Sequence, residues 1–250
     1  MEYTTFLIVC PLVFLAGFVD AIGGGGGLIS LPGYVLAGVP MHAAVATNKL
    51  SSSTGTLIST IRLCKHSKID FILAIPAILL AFVGSTAGAK LSMLIQEEIL
   101  KAVLLVILPV TAYCVLKKDA LSAGAGDACS RKKQLTIAWV AAIIIGLYDG
   151  FYGPGTGTFY MIIFMSLAKM TTMEAAVNTK LLNLTSNLAA LVTFLMHGKV
   201  WIILGLTASI FSIAGHYIGA GMVLKSGNKV VKPIILTVLV LLFIKVVLGI

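Results

Sequence analysis

The stretch "VDAIGGGGGLISLP", Val19–Pro32, sets one carboxylate directly before five consecutive glycines, inside an apolar segment. Non-helical backbone at membrane depth is tolerated only where protein buries it or where it lines a wet cavity. Glycine permits a tight turn and lets another group come close to the main chain. The stretch therefore predicts two helices that meet at a glycine tip, with Asp20 beside it.

The rest of the chain fits hydrocarbon surroundings. Of the 250 residues, 59% are hydrophobic and 11% are charged, with a mean hydropathy of +1.06. A soluble domain carries about 25% charged residues. The runs Phe71–Ala89 and Val200–Leu224 contain no Asp, Glu, Lys or Arg, and a spanning helix needs about 20 such positions. Several such runs predict a polytopic membrane protein, not a secreted one with a removable signal peptide. The net charge of +9 is spread over short clusters between apolar runs, the pattern of membrane loops and not of a nucleic-acid surface. Cys10, Cys64, Cys114 and Cys129 form no CxxC pair, so no metal site is expected. No HExxH and no nucleophile–base cluster is visible, so the sequence predicts neither an enzyme nor a cofactor. The glycines lack the βαβ setting of a dinucleotide fingerprint.

The chain also repeats itself. "GFVDAIGGGGGLIS", from Gly17, matches "GLYDGFYGPGTGTF", from Gly146, with Asp20 on Asp149, Gly24 on Gly153 and Gly26 on Gly155. After a two-residue shift Lys49 falls on Lys180, Thr54 on Thr185, His66 on His197 and Lys68 on Lys199. Gly84 and Gly88 then fall on Gly215 and Gly219. Internal repeats of this kind mark transporters. The reading is a single all-α transmembrane domain over 1–250. Repeat 1 covers 4–116, a cytoplasmic loop 117–134, and repeat 2 covers 135–250. Helical segments are expected at 4–20, 27–38, 41–63, 70–92 and 98–116, then at 135–150, 156–168, 172–196, 200–223 and 231–249.

Five segments is an odd number, so the second half should lie inverted. Placing 117–134 in the cytoplasm puts Arg62, Lys65, Lys68, Lys117, Lys118, Arg131, Lys132, Lys133, Lys169, Lys225, Lys229 and Lys232 inside. Only Lys101 and Lys199 remain outside, so both termini are expected to be extracytoplasmic.

Segment 27–38 is too short for a hydrocarbon core of about 30 Å, so the first two segments of each half should form a short or re-entrant hairpin. The second helix of the hairpin opens with free N–H groups and the positive end of its dipole, which together favour an anion. "GPGTGT", Gly153–Thr158, repeats the device. Helix 41–63 carries Lys49 and helix 172–196 carries Lys180, each about 12 Å past its start and so near the midplane. An ionisable residue at that depth is a functional candidate by default. The expected substrate-binding set is Gly24, Gly25, Gly26, Gly27, Asn48, Lys49, Gly153, Gly155, Thr156, Lys180, Asn183 and Asn187. Asp20 and Asp149 are expected to pair with Lys49 and Lys180 respectively, or to carry coupling protons. The same features also allow plainer roles: glycines for helix packing, aspartates that only neutralise lysines, and Ser52, Thr54, Thr185 and the asparagines as interhelical glue. His66 and His197 read as interfacial. The GxxxG pairs Gly84–Gly88 and Gly215–Gly219 read as close helix contacts.

The paired motifs "AGFVDAIGGGGGLISLP…ATNKL" and "GLYDGFYGPGTGTFYM…NTKLLNLTSN" resemble the TauE/SafE family, the sulfite exporter or toluene-sulfonate uptake permeases, over essentially the whole chain. The resemblance implies a secondary transporter of a small sulfur-containing or organic anion, of the sulfite, sulfonate or sulfoacetate type, in a bacterial inner membrane. Alternating access would move the anion, with proton or sodium coupling and a homodimer as further expectations. A passive anion channel is the alternative, as is a cation transporter that uses Asp20 and Asp149 as ligands.

Overall fold

The computed structural model describes residues 3–65, 69–100, 102–103, 106–107, 109–110 and 129–226. Among them every regular element is a helix. They are α1 (Tyr3–Gly23), α2 (Gly27–Leu36), α3 (Met41–Cys64), α4 (Phe71–Leu94), α5 (Arg131–Phe151), α6 (Thr156–Ser166), α7 (Thr172–Met196) and α8 (Ile202–Ser226). Helical turns also occur from Glu97 onward. The expected helix 231–249, most of 98–116 and most of the loop 117–134 lie outside the described residues. So do His66, Lys68, Lys101, Lys117, Lys118, Lys229 and Lys232, together with the side chain of Lys225.

Among the described residues, four helices are long and apolar enough to cross a membrane: α1, α4, α5 and residues Ile202–Met222 of α8. Large apolar side chains on these helices point away from the bundle, among them Leu7, Leu79, Ile144, Leu206 and Ile210. α3 and α7 are as long but carry the polar residues, and they pack inside the other helices, where Thr47, Ser59, Thr179 and Ser186 are buried. α2 and α6, of 10 and 11 residues, span only about 15–17 Å.

The expected boundaries shift at one place with a clear cause. α5 begins at Arg131, not at 135, because Ser130 caps it by accepting the Lys133 N–H at 3.4 Å. A polar first turn does not oppose a helix once its free N–H groups have a partner.

The helices pack in matched pairs. α1 lies on α8 and α5 on α4; α3 also lies on α8 and α7 on α4; α2 sits beside α1 and α3, and α6 beside α5 and α7. Each half's fourth helix thus packs against the first and third helices of the other half. The GxxxG glycines make these contacts close: a Cβ on Gly84 or Gly88 would strike the main chain at Ile143 or Leu147. One on Gly215 or Gly219 would strike it at Phe14 or Phe18. Without water to drive helices together, such van der Waals approach is what holds membrane helices.

Candidate functional site

α1 ends at the glycine run because Gly24 and Gly25 adopt φ of +73° and +97°, which a side chain resists. In the second half Gly153 and Gly155 do the same at +102° and +86°. The two tips touch. A Cβ on Gly24 would lie 2.5 Å from the carbonyl carbon of Gly157, and one on Gly27 would lie 3.0 Å from Pro154 Cα. Only bare backbone on both sides permits that approach.

Asp20, on the last turn of α1, reaches across its own break. Its Oδ1 accepts the Gly26 N–H at 3.1 Å, at the start of α2. Asp149 does the equivalent in the second half: its Oδ1 accepts the Thr156 hydroxyl at 2.7 Å, at the start of α6. The anion at each helix start is therefore the protein's own carboxylate.

The lysines complete the site, and their pairing corrects the expectation from sequence. Lys49 does not pair with Asp20, nor Lys180 with Asp149. Lys49 Nζ lies 2.9 Å from Asp149 Oδ1, and Lys180 Nζ lies 2.6 Å from Asp20 Oδ2 and 2.5 Å from the Asp20 carbonyl. Each lysine crosses to the aspartate of the other half. The reason is that α3 and α7 pack on each other and the two tips abut, so each long lysine side chain reaches across to the other half's aspartate. Burial is nearly complete, at 2% exposure for Lys49 and Asp149, 4% for Lys180 and 8% for Asp20. Stripping water from these ions is costly, so the pairs and their added hydrogen bonds must hold together.

Neutral groups finish the coordination. Lys49 donates to Asn187 Oδ1 at 3.0 Å, and Asn187 Nδ2 donates to Asn183 Oδ1 at 3.1 Å. Ser186 donates to Asp149 Oδ2 at 2.5 Å. Between the clusters lies a cavity of about 30 Å³, space for roughly two waters. It is lined by Gly25, Gly26, Gly27, Asn48, Lys49, Gly153, Gly155, Thr156, Asn183 and Asn187 from the expected set, and by Asp20 and Asp149. Two expected residues stand apart. Gly24 is spent on the tip-to-tip contact with Gly157, and Lys180 sits behind Asp20, off the cavity lining.

Sequence reasoning missed His216, Ser212, Ser186, Thr56 and Ser30. His216 Nε2 lies 3.2 Å from Asp20 Oδ2, deep in the bundle. The signal was there: His216 stands inside the run Val200–Leu224, which passes as uncharged only while histidine is counted as neutral.

The family model described as "Sulfite exporter TauE/SafE" matches residues 9–246. The chain belongs to the TauE/SafE family. Among its relatives is the "Probable membrane transporter protein ORF9" of Sinorhizobium sp., 33% identical over 96% of this chain and 90% of that protein. The "Probable membrane transporter protein YfcA" of Escherichia coli K12 is 32% identical over 94% and 90%. A "Probable membrane transporter protein" of Haemophilus influenzae is 32% identical over 89% and 86%. No solved structure matches at a significant level. As a member of this family, the chain is a multi-pass protein of a membrane-transporter group.

Proposed function

We propose that this TauE/SafE protein moves a small anion, of the sulfite, sulfonate or sulfoacetate type, across the bacterial inner membrane by alternating access. One observation carries the reading: the buried Lys49 ammonium and the glycine-opened helix starts of both halves line one polar cavity, with the Lys180–Asp20 pair reaching it through Asp20. Such a cavity suits a negative solute, because helix N-termini and lysines already favour negative charge there. In the described conformation Asp20 and Asp149 occupy those positions, and about 30 Å³ does not hold a sulfonate. The state is therefore closed and self-neutralised. An entering anion would take over donors that the carboxylates now use, as the halves rock open.

The cation alternative fits less well, since each aspartate is already met by an ammonium. A channel would need a continuous wet path, whereas the tips here abut backbone to backbone. The matched helix pairs support two related halves, and the loop charges are the reason to place 117–134 in the cytoplasm and both termini outside.

The test is flux into proteoliposomes, with thermal shift, across sulfite, sulfonates, sulfate, thiosulfate and carboxylates. Saturable uptake of a small set of anions is expected. The double variant Lys49→Met/Asp149→Asn stays neutral and should fold, yet should lose most of that uptake. Full uptake by this variant would remove the pair from the site.

A further inference from the structure

The two clusters differ in what faces carboxylate Oδ2. On Asp149, whose Oδ1 takes the lysine, Oδ2 faces the Ser186 hydroxyl, which can only be neutral. On Asp20, Oδ2 takes Lys180 and also faces the imidazole of His216, 2% exposed. His216 fits there because Gly17 of α1 and Gly55 of α3 leave the room. A Cβ on Gly17 would lie 2.7 Å from His216 Nδ1, and one on Gly55 would strike the same ring and the Ser212 hydroxyl. In the repeat alignment Gly55 falls on Ser186 and Ser85 on His216, so the halves have exchanged a serine pair for a glycine–histidine pair.

The hydrogen-bond partners of His216 fix its chemistry. Nδ1 lies 2.9 Å from the Ser212 carbonyl, which can only accept, so Nδ1 carries hydrogen. The other tautomer would aim a lone pair at that carbonyl and gain only a 3.4 Å contact with the Ser212 hydroxyl. With Nδ1 protonated, Nε2 of a neutral ring would aim its lone pair at Asp20 Oδ2. That contact at 3.2 Å is attractive only if a proton lies on one of the two atoms. The other charged groups around the ring are accounted for. α1 contributes Asp20 and α7 contributes Lys180, which is bound to Asp20, while Lys49 of α3 is turned to Asp149.

The geometry points to a proton-binding site shared by His216 Nε2 and Asp20 Oδ2, whose proton gives the cavity the one positive charge that a bound monoanion then neutralises. The two lysines and two aspartates cancel. The added proton leaves one unit of positive charge beside the cavity, since both Asp20 and His216 line it. A proton and a monoanion would then cross together, with no net charge in the buried site. The inference rests on the anion reading above and names its coupling ion.

Linkage makes the effects reciprocal. Above the titration point of the unit, anion affinity should fall by about tenfold per pH unit. The probe is methanesulfonate, a monoanion with no titration of its own between about pH 5 and about pH 9, so any pH dependence belongs to the protein. Two measurements on the full chain in lipid nanodiscs separate the possibilities. The first is ¹⁵N NMR of histidine-labelled protein, with His216 assigned by the signal lost in His216→Gln. A ring protonated at Nδ1 that gains or shares a second proton on acidification is expected. A single neutral tautomer unchanged over the whole range overturns the proposal, and this reading needs only the wild-type titration if the variant misfolds. The second is methanesulfonate binding against pH. A falling affinity in wild type, flattened in His216→Gln, supports coupling. A pH-independent wild-type affinity overturns it even if the NMR proton is found. If the proton is present and none of the anions screened above binds at any pH, the anion reading fails, and the coupling falls with it.

Discussion

The Lys49–Asp149 cluster and the Lys180–Asp20 cluster descend from the same repeat, yet they solve the burial of a carboxylate differently. The first balances Asp149 with one ammonium and surrounds it with fixed hydroxyls from Thr156 and Ser186. The second gives Asp20 one ammonium, one backbone N–H and an ionisable ring. A repeat thus supplies the scaffold twice, while two exchanged side chains set a hydroxyl beside one aspartate and an imidazole beside the other.

The largest expected effect breaks the comparison at the lysines. Lys49→Met strands Asp149 with only neutral donors, and loss of one partner of a buried pair costs about 3–5 kcal/mol. Lys180→Met should cost less, because His216 remains to hold a positive charge on Asp20. Chemical unfolding of both variants in the same lipid environment checks the order. Equal losses, or the reverse order, would mean that His216 does not offset the missing lysine.

A smaller loss should follow Ser186→Ala. It removes a donor to a buried carboxylate, worth about 1.5–3 kcal/mol. His216→Ala is not its counterpart, because it also opens a void between Gly17 and Gly55.

The comparison is sharpened by converting one cluster toward the other. Gly55→Ser alone should overpack His216 and Ser212, at about 1–3 kcal/mol. Adding His216→Ser builds the Ser186–Ser85 arrangement into the first half, and should restore most of that loss. Thermal melts of the single and double variants read the coupling directly. If the second substitution adds its own loss instead, the two positions are not a matched pair.

The smallest effect concerns a histidine–carboxylate pair near the end of the bundle. His42 Nδ1 meets Glu97 Oε1 at 3.3 Å, and its backbone N–H donates to the same oxygen at 3.4 Å. Partial burial raises the Glu97 pKa, but the hydrogen bonds and charge of His42 outweigh it and hold the carboxyl below its ordinary value. A depressed carboxylate adds stability above its unfolded pKa, about 4.3, and loses it as pH falls through the lower folded value. Glu97→Gln should therefore cost about 0.5–1 kcal/mol near neutral pH and nothing in strong acid. A loss that persists in acid would assign the residue a packing role.

Much of this was legible because charge is rare in the chain. Asp20, Lys49, Asp149 and Lys180 stood out against apolar surroundings, and helical rise placed the lysines near the depth of the glycine tips. The GxxxG contacts of Gly84, Gly88, Gly215 and Gly219 also followed from spacing alone. The partners did not follow, since either aspartate offers the same chemistry to either lysine. His216 was hidden by its neutral charge count, and Ser186 by the ordinariness of serine in a polar helix.

Sequence by itself settled the membrane setting, the helical class and the family, because each depends on residue type and periodicity along one chain. Tertiary structure alone decided which lysine meets which aspartate, that the site closes on its own carboxylates, and that a histidine joins only one of them. Those facts depend on which helices pass each other at bonding distance, and local propensity carries no information about a neighbour that lies more than a hundred residues away.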